Sequence, residues 1–147
     1  MAPIVVTTEI ARAPVDVFAY VTDPTKLPDW QESVVRGESS ESSVRVGTTA
    51  HVTRRVGPRE MTQSAEISAL DPPMSWAVRG LDGPVRGDVQ GKIEPLDGGE
   101  RSRVTIQLDL RGHGIGKLLV PLFVHRKAAE EMPRNIQHLK EQLERAS

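Results

Sequence analysis

Cysteine is absent from the 147-residue chain, which excludes disulfide bonds, thiolate nucleophiles and cysteine-bound zinc or iron–sulfur clusters. Aromatic residues are scarce at 3%, so aliphatic side chains must supply most of the core. No apolar run approaches the roughly 20 residues that a helix needs to cross a bilayer, so no transmembrane segment is expected. The four histidines show no metal-ligand spacing, and neither a metal nor another cofactor is expected.

A surplus of one charge is also missing, because 19 Lys and Arg residues balance 20 Asp and Glu residues for a net charge of −1. Without a positive field or a basic tail, no nucleic-acid partner is predicted. The first residues lack a basic stretch followed by a long apolar run, so no signal peptide is expected and a cytoplasmic location is predicted. The length fits one domain spanning residues 1–147, and the sequence leaves open whether it forms a homo-oligomer.

The first part of the chain predicts a strand followed by two short helices. Residues 4–10 are rich in Val, Ile and Thr, which is typical of a strand. Ala13-Pro14 opens a helix, since proline at the first helical position loses only an N–H that would be unpaired anyway. A second helical turn runs to Leu27-Pro28. From about residue 32 to residue 110, apolar and polar residues alternate between closely spaced turns, which predicts an antiparallel meander.

The last 30 residues change to helical periodicity. Apolar positions recur at alternate spacings of four and three, and they predict one inward-facing stripe: Leu118, Leu122, His125, Ala129, Met132, Ile136, Leu139 and Leu143. Pro121 and Pro133 interrupt the stripe, so bends are expected there. The fold class is therefore α+β, with an antiparallel sheet packed against a long C-terminal helix.

Three groups of segments carry a resemblance to a known family. They are residues 13–18 (APVDVF) with 21–24 (VTDP) and 27–30 (LPDW), the Asp71-Pro72-Pro73 turn with Trp76 after it, and residues 98–105 (GGERSRVT) leading to the terminal helix. On these segments the sequence resembles the START/Bet v 1-like helix-grip (SRPBCC) superfamily, in its bacterial polyketide cyclase/dehydrase-like branch. The likeness covers essentially the whole chain.

The resemblance implies a curved antiparallel sheet of about six to seven strands wrapped around the C-terminal helix, with a cavity between them. It implies binding of a hydrophobic or aromatic small molecule there, such as a lipid or a polyketide-like compound. A carrier or sensor is the favoured function. A polyketide cyclase or dehydratase using the same cavity is the alternative, and a protein–protein interaction module is the third, so enzymatic activity stays open.

His125 is the one acid/base candidate, because it interrupts an apolar stripe and an imidazole titrates near neutrality. It is equally compatible with a core histidine bonded to a neighbour, or with a surface histidine turned outward by the bend at Pro121. Arg54 and Gln63 share strand faces with apolar residues and would be polar groups at the cavity. A buried Arg54 would need a carboxylate or an anionic ligand; otherwise it reaches water from a strand end.

A register shift of one residue would place His51, Thr53 and Arg55 on the inner face instead. The remaining ligand contacts are expected on the inward positions of strands and helix: Leu118, Leu122, Ala129, Met132, Trp76, Val78, Val89, Ile106 and Leu108. For Trp76 core packing is the first interpretation, and ligand contact is the second. Small inward residues are expected to leave space for the ligand: Ala50, Ala65, Gly87 and Gly91. Glu130 and Glu131 are expected on the outer helix face.

Overall fold

The computed structural model of the protein describes residues 2–146, in which seven strands form one antiparallel sheet. The strands are β1 (Ile4–Ile10), β2 (Val34–Ser39), β3 (Thr49–Val56), β4 (Arg59–Asp71), β5 (Ser75–Gly80), β6 (Val85–Leu96) and β7 (Arg101–Gly112). Their order across the sheet is β1-β7-β6-β5-β4-β3-β2, so only β1 leaves the sequential meander. The curled sheet and its C-terminal helix confirm the expected α+β helix-grip class.

Two short helices follow the first strand, as the sequence predicts. They are α1 (Pro14–Val21) and α2 (Leu27–Trp30), and a 3₁₀ turn at Pro24–Lys26 joins them. Asp23 caps this turn, because its Oδ1 accepts hydrogen bonds from the backbone N–H of Thr25 at 3.0 Å and from its hydroxyl at 2.7 Å. The two helices therefore close one end of the sheet.

The strand register sets the concave face of the sheet. Ile67, Val78, Val89, Leu108 and Ile4 lie side by side across five neighbouring strands. Cross-strand partners in a sheet share one face, so this row is a continuous apolar surface. At one end of this face the core is closed by a cluster from the sheet and the helices: Ile10, Val17, Val21, Trp30, Trp76, Ile93, Val104, Ile106, Ile136, Leu139 and Leu143.

The C-terminal helical segment contains a change of register. It consists of α3 (Gly116–Leu119), a π turn (Val120–Val124) and α4 (His125–Arg145). Pro121 has no N–H to donate to the carbonyl of Lys117. The His125 N–H instead donates to the carbonyl of Val120, five residues back. The extra residue in this turn rotates the preceding part of the helix by about 100° relative to an unbroken α-helix.

This rotation overturns half of the predicted stripe. Leu118 and Leu122 are 61% and 56% exposed, so the prediction that they face the sheet is wrong. Ala129, at the edge of the stripe, is also exposed. Val120 takes the inward position before the π turn. The second half of the stripe packs as predicted: Met132 is half-buried, and Ile136, Leu139 and Leu143 are buried.

Tyr20 on α1 offers a test of how α1 and α2 pack. Its hydroxyl donates to Asp29 Oδ2 on α2 at 3.4 Å. Burial, together with the negative charges of Asp29 and Asp23, raises the pKa of Tyr20 to about 12. Tyr20 is the single tyrosine of the chain, so the absorbance of the tyrosinate ion reports on it alone. We expect a titration midpoint near pH 12 in the folded protein, against about 10 for a free phenol.

The Asp29→Asn variant should titrate lower, because it removes one negative charge. Folded Tyr20 holds its proton more tightly than unfolded Tyr20, so this residue adds stability below about pH 10 that is lost as the pH rises towards about 12. Circular dichroism of the same samples checks that the fold persists. A midpoint near 10 in folded protein would contradict the packing of α1 on α2.

Candidate ligand-binding site

The concave face of the sheet is covered unequally. Beyond the closed end, side chains of the central strands are only half-buried: Val52, Ala65, Val78, Val89 and Leu108. Among the helices, α4 lies against β1 and α2, and α3 lies against β7. Strands β3, β4 and β5 belong to the other half of the curled sheet. The helices therefore cover the β3–β5 half of the concave face less than the half formed by β1 and β7, and we call this less covered half the recess.

Arg54 lies at this recess on β3. Its Nη1 donates to Ser33 Oγ at 3.0 Å, which is its one hydrogen bond within residues 2–146. Burial lowers the pKa of Arg54, and the negative charge of Glu131 opposes that shift. The residue nevertheless keeps some accessible surface. A side chain that is surrounded by protein atoms and still has accessible surface faces an internal concavity. The guanidinium has five N–H donors, so it can donate further hydrogen bonds there.

Glu131 is half-buried, which corrects its expected place on the outer face of the helix. Its carboxylate acts on Arg54 through space, although the two groups are further apart than the 4.0 Å of an ion pair. The next inward residue on α4, Asn135, is buried, and its Oδ1 accepts from the backbone N–H of Glu32 at 3.1 Å. The helix thus presents polar groups towards the segment that carries Ser33.

Gln63 closes one end of the recess. Its Nε2 donates to the carbonyl of Val85 at 2.9 Å and to that of Asp82 at 3.4 Å. Both donor hydrogens of the amide are used in tying β4 to the connection between β5 and β6. The side chain is therefore held in place by the backbone, and its amide has no free N–H to donate to a ligand.

His125 lies beside the segment that precedes β1, at one edge of the sheet. Its ring is half-buried, and Nε2 lies 3.0 Å from the carbonyl of Ala2, to which it donates in the tautomer that protonates Nε2. Ala2 precedes β1, whereas Arg54 is on β3, five strands away in the sheet order. Of the alternatives that the sequence left open, the structure fits a histidine bonded to a neighbour. The two predicted polar groups are not brought together.

Two inward glycines leave no space for a ligand, contrary to expectation. A Cβ atom on Gly91 would overlap Cζ2 of Trp76, and one on Gly87 would lie 3.1 Å from Cδ1 of Leu108. Trp76 is buried in the core cluster, where it fills the position above Gly91. Ile106 is buried in the same cluster. Ala65, which is half-buried, is the small inward residue that remains at the recess.

Two other depressions, of about 620 and 600 Å³, lie away from this recess. The first is lined by Lys92, Thr105 and Gln107 on the convex side of the sheet, and the second lies between α1 and the serine-rich residues 39–43. Both are open to solvent, and most of the residues that line them are polar. They lack the enclosed apolar surface that is typical of small-molecule sites.

Comparison with known proteins agrees with this geometry. Residues 1–144 match a family model described as polyketide cyclase/dehydrase and lipid transport. The chain belongs to this family. The expected START-like resemblance is therefore confirmed. A search of the curated proteins finds no match.

Solved structures with the same fold are distant in sequence from this member of the polyketide cyclase/dehydrase and lipid transport family. TTHA0849 from Thermus thermophilus is 19% identical over 99% of each chain, with a TM-score of 0.79. A START superfamily protein from Mycobacterium smegmatis is 13% identical over 99% of each chain, also with a TM-score of 0.79. The chain covers 47% of the di-domain ARO/CYC protein BexL of the BE-7585A biosynthetic pathway, at 14% identity and a TM-score of 0.74. At these identities the likeness shows the fold alone.

Several residues at the recess of this family member carry no signal in the sequence. Ser33 and Glu131 contact or influence Arg54 only because α2, β3 and α4 converge. Trp30 is buried, and its Nε1 has no hydrogen-bond partner within residues 2–146. A buried N–H without an acceptor is costly, and Trp30 belongs to the core cluster that closes the other end of the concave face. A pattern of apolar spacing cannot reveal such pairings.

Neither a cluster of metal-ligand side chains nor a membrane-spanning helix is found within residues 2–146 of this family member. That range contains no group of three or more His, Asp or Glu side chains arranged to hold a metal ion. No helix in the same range combines the length and the apolar character that crossing a lipid bilayer requires.

Proposed function

We propose that the protein binds a hydrophobic or aromatic small molecule in the recess between β3–β7 and the C-terminal helix, as a carrier or sensor. The observation that carries this proposal is the accessible surface kept by apolar side chains at the centre of the concave face, next to a buried guanidinium. Half-buried Val52, Val78 and Leu108 supply the apolar lining. An apolar recess in water gains free energy when an apolar guest fills it.

The polar end of the ligand is proposed to lie near Arg54. Its guanidinium has one hydrogen bond within residues 2–146, to Ser33, and its pKa is lowered by burial, so a further acceptor would stabilise the charged form. The half-buried apolar side chains of β3, β5 and β7 provide the rest of the surface for the ligand. A lipid or aromatic compound with a carboxylate, carbonyl or hydroxyl group fits this combination.

Cyclase or dehydratase chemistry receives less support. Acid/base catalysis requires groups within hydrogen-bond reach of one another or of the reacting atoms. Here His125 bonds to the carbonyl of Ala2, before β1, whereas Arg54 is on β3, and no hydrogen bond within residues 2–146 joins the two side chains. Glu131 and Arg54 are also further apart than an ion pair. The arrangement is suited to holding a ligand.

The experiment is a titration with an apolar fluorescent probe, on the wild type and on two tryptophan variants of β4. Ala65→Trp places a large side chain in the recess, whereas Ser68→Trp places it at an exposed position of the same strand. We expect saturable binding by the wild type, an affinity lower by about ten-fold or more in Ala65→Trp, and little change in Ser68→Trp. Fatty acids should displace the probe better than alcohols of the same chain length, because Arg54 attracts a carboxylate.

Circular dichroism must show that both variants keep the fold. The proposal would be wrong if the wild type showed no saturable binding, or if Ala65→Trp bound the probe as tightly as the wild type. In either case an interaction surface for another protein becomes the better interpretation.

A further inference from the structure

The N-terminal part of the C-terminal helical segment exposes an unusual amount of apolar surface. Ile115, Leu118, Leu122 and Phe123 are each between 56% and 67% exposed, and we call these four side chains the apolar patch. All four fall within nine residues of sequence. Isolated exposed apolar residues are normal, but a contiguous group of large ones indicates a contact surface.

The π turn creates this patch. The extra residue turns Leu118 outward while Val120 becomes buried against β7. An unbroken helix would have placed Leu118 in the inward stripe. The fold therefore exposes apolar side chains at a position where a regular helix would have buried part of them.

The charged residues in the stretch of sequence that carries the patch all have one sign. From residue 110 to residue 129 the sequence contains no Asp or Glu, although the whole chain has a net charge of −1. Arg111 in this range is held by Asp88. Lys117, Arg126 and Lys127 are exposed. The contact of Arg126 with Glu130, at 3.7 Å between mostly exposed groups, neutralises little of this charge.

We propose that the apolar patch and its three exposed cations dock the protein on the surface of an anionic lipid membrane. Short helical segments with apolar side chains on one side and Lys or Arg beside them lie in the headgroup region of bilayers, where each cation near an anionic surface contributes about 1 kcal/mol. A second copy of the chain is disfavoured, because a symmetric contact through the patch would bring the same cations together. Docking uses the outer surface and does not depend on the proposed ligand recess.

Flotation with lipid vesicles tests the proposal. The wild type should bind vesicles of phosphatidylcholine with phosphatidylglycerol about ten-fold or more better than phosphatidylcholine alone, and added salt should weaken the binding. Leu122→Ser combined with Phe123→Ser, and separately Arg126→Glu combined with Lys127→Glu, should each lower the bound fraction about ten-fold. Matched controls are Val15→Ser, which changes another apolar side chain that is 63% exposed, and Lys26→Glu on the exposed 3₁₀ turn.

A Phe123→Trp variant reports insertion directly, because its emission should shift to the blue when anionic vesicles are added. The proposal is overturned if neutral and anionic vesicles bind equally, if no vesicle binds, or if the control variants lose as much binding as the patch variants. It is also overturned if sedimentation shows a dimer that the Leu122→Ser/Phe123→Ser variant dissociates, since the patch would then bind a second copy. Probe binding in the recess should be unchanged in the patch variants, so failure of docking and failure of the proposed function remain distinguishable.

Discussion

Replacing Leu139 with alanine should lower the free energy of unfolding by about 2–5 kcal/mol, towards the upper end of that range. Leu139 is 0% exposed and belongs to the cluster that joins α4 to the sheet and to α1. Its removal leaves a cavity among neighbours that are held by two layers of structure and cannot easily collapse. Urea denaturation followed by circular dichroism measures the loss.

The matched control is Leu122→Ala, the same change in the same helical segment. Leu122 is 56% exposed, so we expect a loss within about 0.5 kcal/mol. An unbroken helix would make the two leucines equivalent members of one stripe. Equal losses in the two variants would therefore contradict the register that the π turn imposes.

Gly91→Ala should also be strongly destabilising, by about 1–3 kcal/mol or more. The added Cβ would overlap the ring of Trp76, which is only 5% exposed. The ring cannot stay in place, and the core cluster around it must shift. Tryptophan fluorescence and urea denaturation together report the displaced indole and the lost stability.

A double-mutant cycle makes this prediction specific. In a Trp76→Leu background the space above Gly91 is no longer filled by an indole, so the additional cost of Gly91→Ala should fall clearly. If the two changes were additive, the contact between Gly91 and Trp76 would not be the cause. The loss would then reflect a general weakening of β6, of the kind that a substitution elsewhere in this strand would also cause.

The sheet could be predicted from local patterns, for reasons that particular residues show. Val89 and Ile93 alternate with charged or polar neighbours, so the sequence predicts β6 and its two faces, and a glycine pair after Asp97 is typical of the turn that leads to β7. The second half of α4 followed from apolar spacing as well, because Ile136 to Leu143 contains no proline. In these segments the spacing of the apolar residues predicts both the secondary structure and the side chains that are buried.

The first half of the helical segment could not be predicted because Pro121 has two structural solutions. A missing N–H can be accommodated by a bend or by a π turn, and the sequence does not distinguish them. One extra residue was enough to move Leu118 outward and Val120 inward. The sequence therefore correctly predicts a helix here, but it wrongly predicts which side of that helix faces the sheet.

The candidate site was accessible to sequence reasoning only in part. Arg54 was recognised because it shares a strand face with apolar residues. Its surroundings were not, since Ser33 and Glu131 come near Arg54 only through the tertiary packing of the segment after α2, β3 and α4. The positions of polar partners depend on tertiary packing. The spacing of apolar residues within a single strand or helix does not show which other elements pack against it.

The pairing of β1 with β7 has a consequence for the order in which this chain can fold during synthesis. Ile4 is paired with Leu108, and Ile10 with Ser102, so the first strand made has no partner until about a hundred further residues have been added. Leu139 and Leu143, which cover Ile10 and Val17 in the core, are made later still. A nascent chain on the ribosome must therefore carry an incomplete meander with an uncovered apolar face. Closure of the core therefore waits until the last helix has been made, and until then a chaperone that binds exposed apolar strands can act.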